Sequence, residues 1–144
     1  MEHLNIIIAI TNFVAIIPII KSIIVKDYIL SLLIFLTMMA SFTSHLGEQR
    51  HGLPGYVLIK YFTILNYVDI ILAIILIIHR YQMFSMLFYF GGPRIINIIT
   101  IGCVAILFWI LATLFSNNTY YWAIFHSIWH VLAFLTLDAT ILFI

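Results

Sequence analysis

Five apolar stretches of roughly 20 residues each, separated by short polar breaks, limit what this chain can fold into. They are Leu4–Ile20 (continuing weakly to Val25), Tyr28–Leu46, Tyr56–Ile78, Ile95–Phe115 and Tyr120–Ile144. A helix of that length crosses the hydrocarbon of a bilayer. It also satisfies its backbone N–H and C=O groups internally, which lipid requires. With 65% hydrophobic and 8% charged residues, the chain lacks the polar surface of a water-soluble domain. The expected fold class is all-α: a polytopic membrane helix bundle with five transmembrane helices, in a single domain over residues 1–144. Glu2 and His3 give no basic leader and no small-residue cleavage site follows, so the first stretch reads as a retained span.

The breaks carry information of their own. Gly47–Gly55 is a polar, Gly/Pro-broken connection and marks a clear boundary. In the longer break His79–Arg94, the apolar centre Met83–Phe90 is too short to cross, and it is expected to form an interfacial or re-entrant half-helix. A net charge of +1 with no Lys/Arg cluster excludes nucleic acid as a partner. The lone Cys103 has no partner for an internal disulfide and reads as an inert buried thiol. Odd parity puts the termini on opposite faces. Lys21, Lys26, Arg80 and Arg94 then share one face, against Arg50 and Lys60 on the face of Met1. The positive-inside rule assigns the four-cation face and the C-terminus to the cytoplasm. Asn117–Thr119, on the opposite face, spells a glycosylation sequon too close to the membrane to be used.

Ionisable groups at membrane depth default to a functional reading. The last span contains Phe125-His126-Ser127-Ile128-Trp129-His130, two imidazoles four residues apart on one helical face. That spacing grips a transition metal from one helix, and the chain offers a third ligand, His45, which closes the second span four residues after Ser41. Asp69, with Asn66 on the same face, lies in the third span. Sidedness supplies a test: the second span ends, and the third and fifth begin, on the face of Met1. His126 lies roughly 9 Å and His130 roughly 15 Å below Tyr120, so all four groups fall in one leaflet. His45 alone looks too shallow, unless its helix continues into Gly47–Gln49 or the helices tilt. Three imidazoles and an open position describe a catalytic zinc site. Asp69 is placed to accept a proton from water, and Ser41 to hydrogen-bond a developing oxyanion. The chemistry that fits is hydrolysis of a lipid ester or amide within the bilayer.

Other polar residues have plainer expectations. Asp138, about 12 Å past His130, reads as a packing or interface carboxylate. Glu48, three residues after His45, can approach the site from the loop but reads first as a solvated charge; Lys21 reads as a snorkelling cation, and His3, His51 and His79 as interfacial or loop residues. Trp122 and Trp129 read as interface anchor and packing.

Ser-x-x-x-His closing the second span, an acid in the third and His-Ser-x-Trp-His in the last resemble the CREST superfamily of membrane hydrolases. That group includes alkaline ceramidases, PAQR receptors and post-GPI-attachment lipases. The stretches TYYWAIFHSIWHVL and ILNYVDIILA are most similar to the branch holding the post-GPI-attachment phospholipase A2 and myomaker. The resemblance implies Zn2+ held by His45, His126 and His130, with Asp69 as acid/base partner, Ser41 as the second-span serine, and a membrane lipid as substrate. That superfamily has seven spans, so this chain is a reduced version whose fourth and fifth spans are replaced by Met83–Phe90. The lost walls leave three outcomes: a more open lipid groove, completion by a homo-oligomer, or a non-enzymatic myomaker-like remodelling or fusion protein with structural zinc.

Overall fold

Pro18 sets the shape of the first span. It has no N–H to give the Val14 carbonyl one turn back, and an α-helix cannot run unbroken through that register. In the computed structural model the chain answers with a tight 3-10 turn over Asn12–Ala15, between α1 (Leu4–Thr11) and α2 (Ile16–Ile24). The structure describes the backbone of residues 3–90 and 92–141, and the side chains of 3–81, 92 and 95–141. Four long helices follow: α3 (Tyr28–Gly47), α4 (Phe62–Phe90), α5 (Pro93–Leu114) and α6 (Thr119–Thr140). The five segments long and apolar enough to span are Leu4–Ile24, Tyr28–Gly47, Ile59–Tyr81, Ile95–Leu114 and Thr119–Thr140, which makes the protein an all-α integral membrane bundle. The final residues of the expected fifth span, Leu142–Ile144, lie outside the described residues.

One expected element is absent. Met83–Phe90 is not a separate half-helix but the C-terminal end of α4. The reason is local: no glycine or proline occurs between Gly55 and Gly91, so nothing interrupts the helix until Gly91-Gly92-Pro93. Arg80, expected in a loop, therefore sits within a helix. Pro93 then starts α5, where a missing N–H costs nothing. Side-chain caps start two other helices: Asp27 accepts from the Leu30 N–H on α3 at 3.1 Å, and Asn118 from Tyr120 and Tyr121 on α6 at 3.1 and 3.2 Å.

The first span, α3 and α6 form the centre, with α4 laid along α3 and α5 along α6. Ala15, Leu30, Ile34, Met38, Phe134 and Ile141 make one core, and Leu4, Ile8, Leu53, Ala112, Trp122 and Ala123 a second nearer the N-terminal face. The outer helices bury little of themselves, and Cys103 on α5 is exposed rather than buried. An apolar residue on an outer helix has hydrocarbon as its natural surroundings, so burial inside the protein is not required of it.

The polar connection after α3 is fixed by an asparagine in the first span. Asn5 is fully buried; its Nδ2 donates to the carbonyls of His45 and Glu48 at 2.8 and 2.7 Å, and its Oδ1 accepts the Gly55 N–H at 3.2 Å. Gly47 lets the returning chain close in, since a Cβ there would stand 3.0 Å from the Val57 carbonyl oxygen. Asn5→Leu is expected to leave the Glu48 carbonyl and the half-buried Gly55 N–H unpaired, and the His45 carbonyl with only the Glu48 N–H at 3.4 Å. At about 1–3 kcal/mol each, less whatever the site relaxes, the loss is roughly 2–5 kcal/mol, read as a lower melting temperature in detergent.

Candidate metal centre

The three histidines singled out by sequence meet. Among the described residues, one nitrogen each from His45, His126 and His130 lie within 4.8 Å of one another. Ring centroids are 4.9 Å apart for His45 and His126, 4.8 Å for His45 and His130, and 4.6 Å for His126 and His130. His45 reaches the pair because α3 continues through Gly47 and the chain then turns inward, which removes the expected mismatch in depth. His45 and His130 are buried, and His126 is nearly so.

For His45 and His130 the outer partners decide which nitrogen the ring offers. His45 Nδ1 stands 2.7 Å from Glu48 Oε2. A carboxylate only accepts, so Nδ1 carries the hydrogen and Nε2 keeps a free lone pair. His130 Nδ1 stands 3.2 Å from Thr11 Oγ1, whose single hydrogen is given to the Ile8 carbonyl at 2.6 Å. The hydroxyl must accept from the ring, so Nδ1 of His130 is also the protonated nitrogen and its Nε2 is free. His126 Nε2 lies 3.3 Å from His45 Nε2. That spacing matches two corners of a tetrahedron around an ion bound at about 2.0–2.1 Å. The widest pair, at up to 4.8 Å, must draw in slightly, since two ligands of one ion at that bond length stand no more than about 4.2 Å apart; as three imidazoles with a position left over, the set suits a transition metal.

Glu48 is the member of this cluster whose place differs most from its expectation. It is fully buried, not solvated; its Oε1 accepts from Arg50 Nε at 3.1 Å, and Arg50 Nη2 donates to Asn66 Oδ1 at 3.0 Å. Carboxylates behind metal-binding histidines fix the ring and raise its basicity. The signal was present: an acid three residues after a helix-terminal histidine can fold back onto its ring. Asn66, considered as a partner of Asp69, is bound to Arg50 instead. Asp69 faces the Ser41 hydroxyl and His45 across the α3–α4 contact, so all five expected residues gather in one place.

Of the two tryptophans of α6, Trp129 packs as expected and Trp122 does not anchor at an interface. Trp122 is buried rather than interfacial, sandwiched between His51 at 4.5 Å and His126 at 4.6 Å. His51 is half-buried, its Nδ1 against the Ser116 carbonyl at 3.1 Å, while its own carbonyl accepts from Thr119. The loop after α3 is thereby tied to the α5–α6 turn over the cluster. Trp129 packs on His126 and His130 at 5.1 and 4.9 Å. Lys21 does not snorkel; its ammonium pairs with Asp138 at 3.2 Å, and Asp138 is the packing carboxylate expected.

Two cavities approach the cluster from different directions. The larger, about 420 Å³, runs between α4 and α6 with α3 behind it, from Ser41, Asp69 and His130 at one end to Arg80 and Thr140 at the other. Its middle is apolar, with Ala73, Leu76, Phe134 and Leu137, and its rim includes Ile77 and Tyr81, which are 69% and 70% exposed on the outer surface. The smaller, about 270 Å³, is lined by Arg50, His51, Ser116, Trp122 and His126 on the loop side. Trp109, Ala112 and Thr113 complete its wall, so the cluster has an oily approach and a second of mixed character that includes Arg50, His51 and Ser116. No protein-family model, curated protein or solved structure matches this chain.

Proposed function

We propose that the protein is a zinc-dependent intramembrane hydrolase of a lipid ester or amide bond, of the kind its resemblance to the CREST superfamily implies. The observation that carries the reading is the convergence of three inward-facing imidazoles with Asp69 and Ser41 at the head of an apolar cavity. His45, His126 and His130 are the ligands, and Zn2+ supports the reading best because three imidazoles with an open position are its catalytic set. The ion supplies Lewis acidity toward a carbonyl and toward water.

The remaining work falls to the chain. The cavity between α4 and α6 receives the acyl chain of a membrane lipid and brings its carbonyl beside Asp69. The loop-side cavity admits water. Asp69 takes a proton from the attacking water as the new C–O bond forms, then returns it to the alkoxide or amine that leaves, giving a fatty acid and an alcohol or amine. Ser41 donates its single hydroxyl hydrogen to the Asp69 carboxylate and so orients it, then turns that hydrogen to the oxyanion once Asp69 has taken up the proton. Glu48 holds His45 in the ligating tautomer, with Arg50 fixing Glu48. Counted along the sequence, four cations against two support a cytoplasmic C-terminus, with the site toward the extracytoplasmic or lumenal leaflet, although Lys21 and Arg80 are paired within the bundle.

The test is release of fatty acid from phospholipid and ceramide in proteoliposomes holding the purified protein, with its zinc content measured alongside. Zinc without hydrolysis of either lipid class favours the remodelling or fusion reading, which the thin coverage around α4 also supports. Glu48→Gln separates ring positioning from ligation: zinc affinity is expected to fall about 10–100-fold, measured by competition with a calibrated chelator.

A further inference from the structure

Arg80 is the least expected group in the larger cavity. It is 7% exposed, within a spanning segment, and reaches from α4 across to α6. Its Nη2 donates to the Thr140 carbonyl at 2.7 Å and to Thr140 Oγ1 at 3.1 Å, and its Nε donates to the same hydroxyl at 3.2 Å. Its Nη1 stands 3.8 Å from Asp27 Oδ2, at the start of α3. One guanidinium thus ties all three helices that wall the cavity, at the end remote from the histidines. Arg80 stands one residue before the end of its span, and a guanidinium buried there is costly without such partners, so the site asks for a function.

We propose that the Arg80–Thr140–Asp27 tie is the floor of an acyl-chain slot and sets the length of chain the protein accepts; this rests on the lipid-hydrolase reading. Asp69 and Arg80 are eleven positions apart on one helix, roughly 16 Å at about 1.5 Å per residue. His130 and Thr140, ten apart on α6, give roughly 15 Å, so both walls agree. An extended hydrocarbon chain, with C–C bonds of about 1.52 Å, advances roughly 1.25 Å per carbon. The slot then holds about 12–14 carbons with the carboxyl group beside Asp69. A longer chain must bend out past Ile77 or break the tie. Lipid tails outside are as apolar as the slot, so burial alone gives no gradient with length and fit decides.

The experiment uses myristic acid carrying a photoreactive diazirine at its terminal carbon, with the full chain in nanodiscs and adducts mapped by mass spectrometry. Unlabelled dodecanoate, tetradecanoate and octadecanoate compete at equal mole fraction. Adducts are expected around Arg80 and Thr140, with tetradecanoate competing at least about tenfold better than octadecanoate, as for a misfit of a few methylenes. Arg80→Ala is expected to abolish that difference. Ala73→Phe, which leaves the floor intact and blocks the slot partway, is expected to weaken both competitors. Equal competition by octadecanoate and tetradecanoate in the unaltered protein overturns the proposal. So does loss of all binding in a folded Arg80→Ala protein, which would make Arg80 a carboxylate anchor. Length grading in a protein that hydrolyses no lipid removes the hydrolase reading and keeps the slot; hydrolysis without grading removes the slot alone.

Discussion

Replacing His126 by alanine is expected to empty the metal site while leaving the protein folded. His126 touches both other ligands, with its Nε2 3.3 Å from His45 Nε2 and its ring 4.6 Å from that of His130. Its loss leaves two imidazoles from different helices and no third nitrogen to close the set. If a site of this kind binds with about 10 kcal/mol or more, losing one ligand of three weakens affinity by roughly 10²–10³-fold. Plasma mass spectrometry of detergent-purified protein reads the change as loss of stoichiometric zinc. His51→Ala is the control, because His51 is separated from the cluster by Trp122 and hydrogen-bonds Ser116. Zinc retained in His126→Ala, or missing from the unaltered protein under zinc-replete purification, would end the metal assignment.

Asp69→Asn is expected to cut lipid hydrolysis by about 10²–10⁴-fold, the usual worth of a positioned acid/base, with zinc content unchanged. The substitution keeps the size of the side chain and its ability to accept from Ser41, and removes only the capacity to take a proton. Ser41→Ala should cost less, since it removes one hydrogen bond and leaves the carboxylate in place. Single-turnover release of fatty acid from proteoliposomes gives both numbers. An Asp69→Asn protein as active as the original would take Asp69 out of the reaction and leave it as a helix-packing group.

These expectations differ in how visible their residues are in the chain alone. The five spans and the meeting of His45, His126 and His130 can be read early, because length, same-face spacing and the parity of crossings are arithmetic on the chain. Glu48 is harder. The three-residue spacing from His45 allows the contact, but whether it forms depends on a fold-back after Gly47, held by Asn5 forty-three positions earlier. Thr11 escapes for a similar reason: a threonine in an oily helix usually bonds its own backbone, and only the structure adds His130 to that pattern. Arg80 is misread because Met83–Phe90 is too short to cross alone; what matters is the absence of a breaker before it.

On the lipid-hydrolase reading, the exposed rim at Ile77 and Tyr81 has a kinetic consequence. A substrate that slips in sideways between α4 and α6 arrives by diffusion in the plane of the bilayer and never passes through water. Its effective concentration is then its mole fraction among neighbouring lipids, not its amount per litre. Diluting it with an inert lipid should slow turnover even when the total quantity is constant, and adding more vesicles of the same composition should not hasten it.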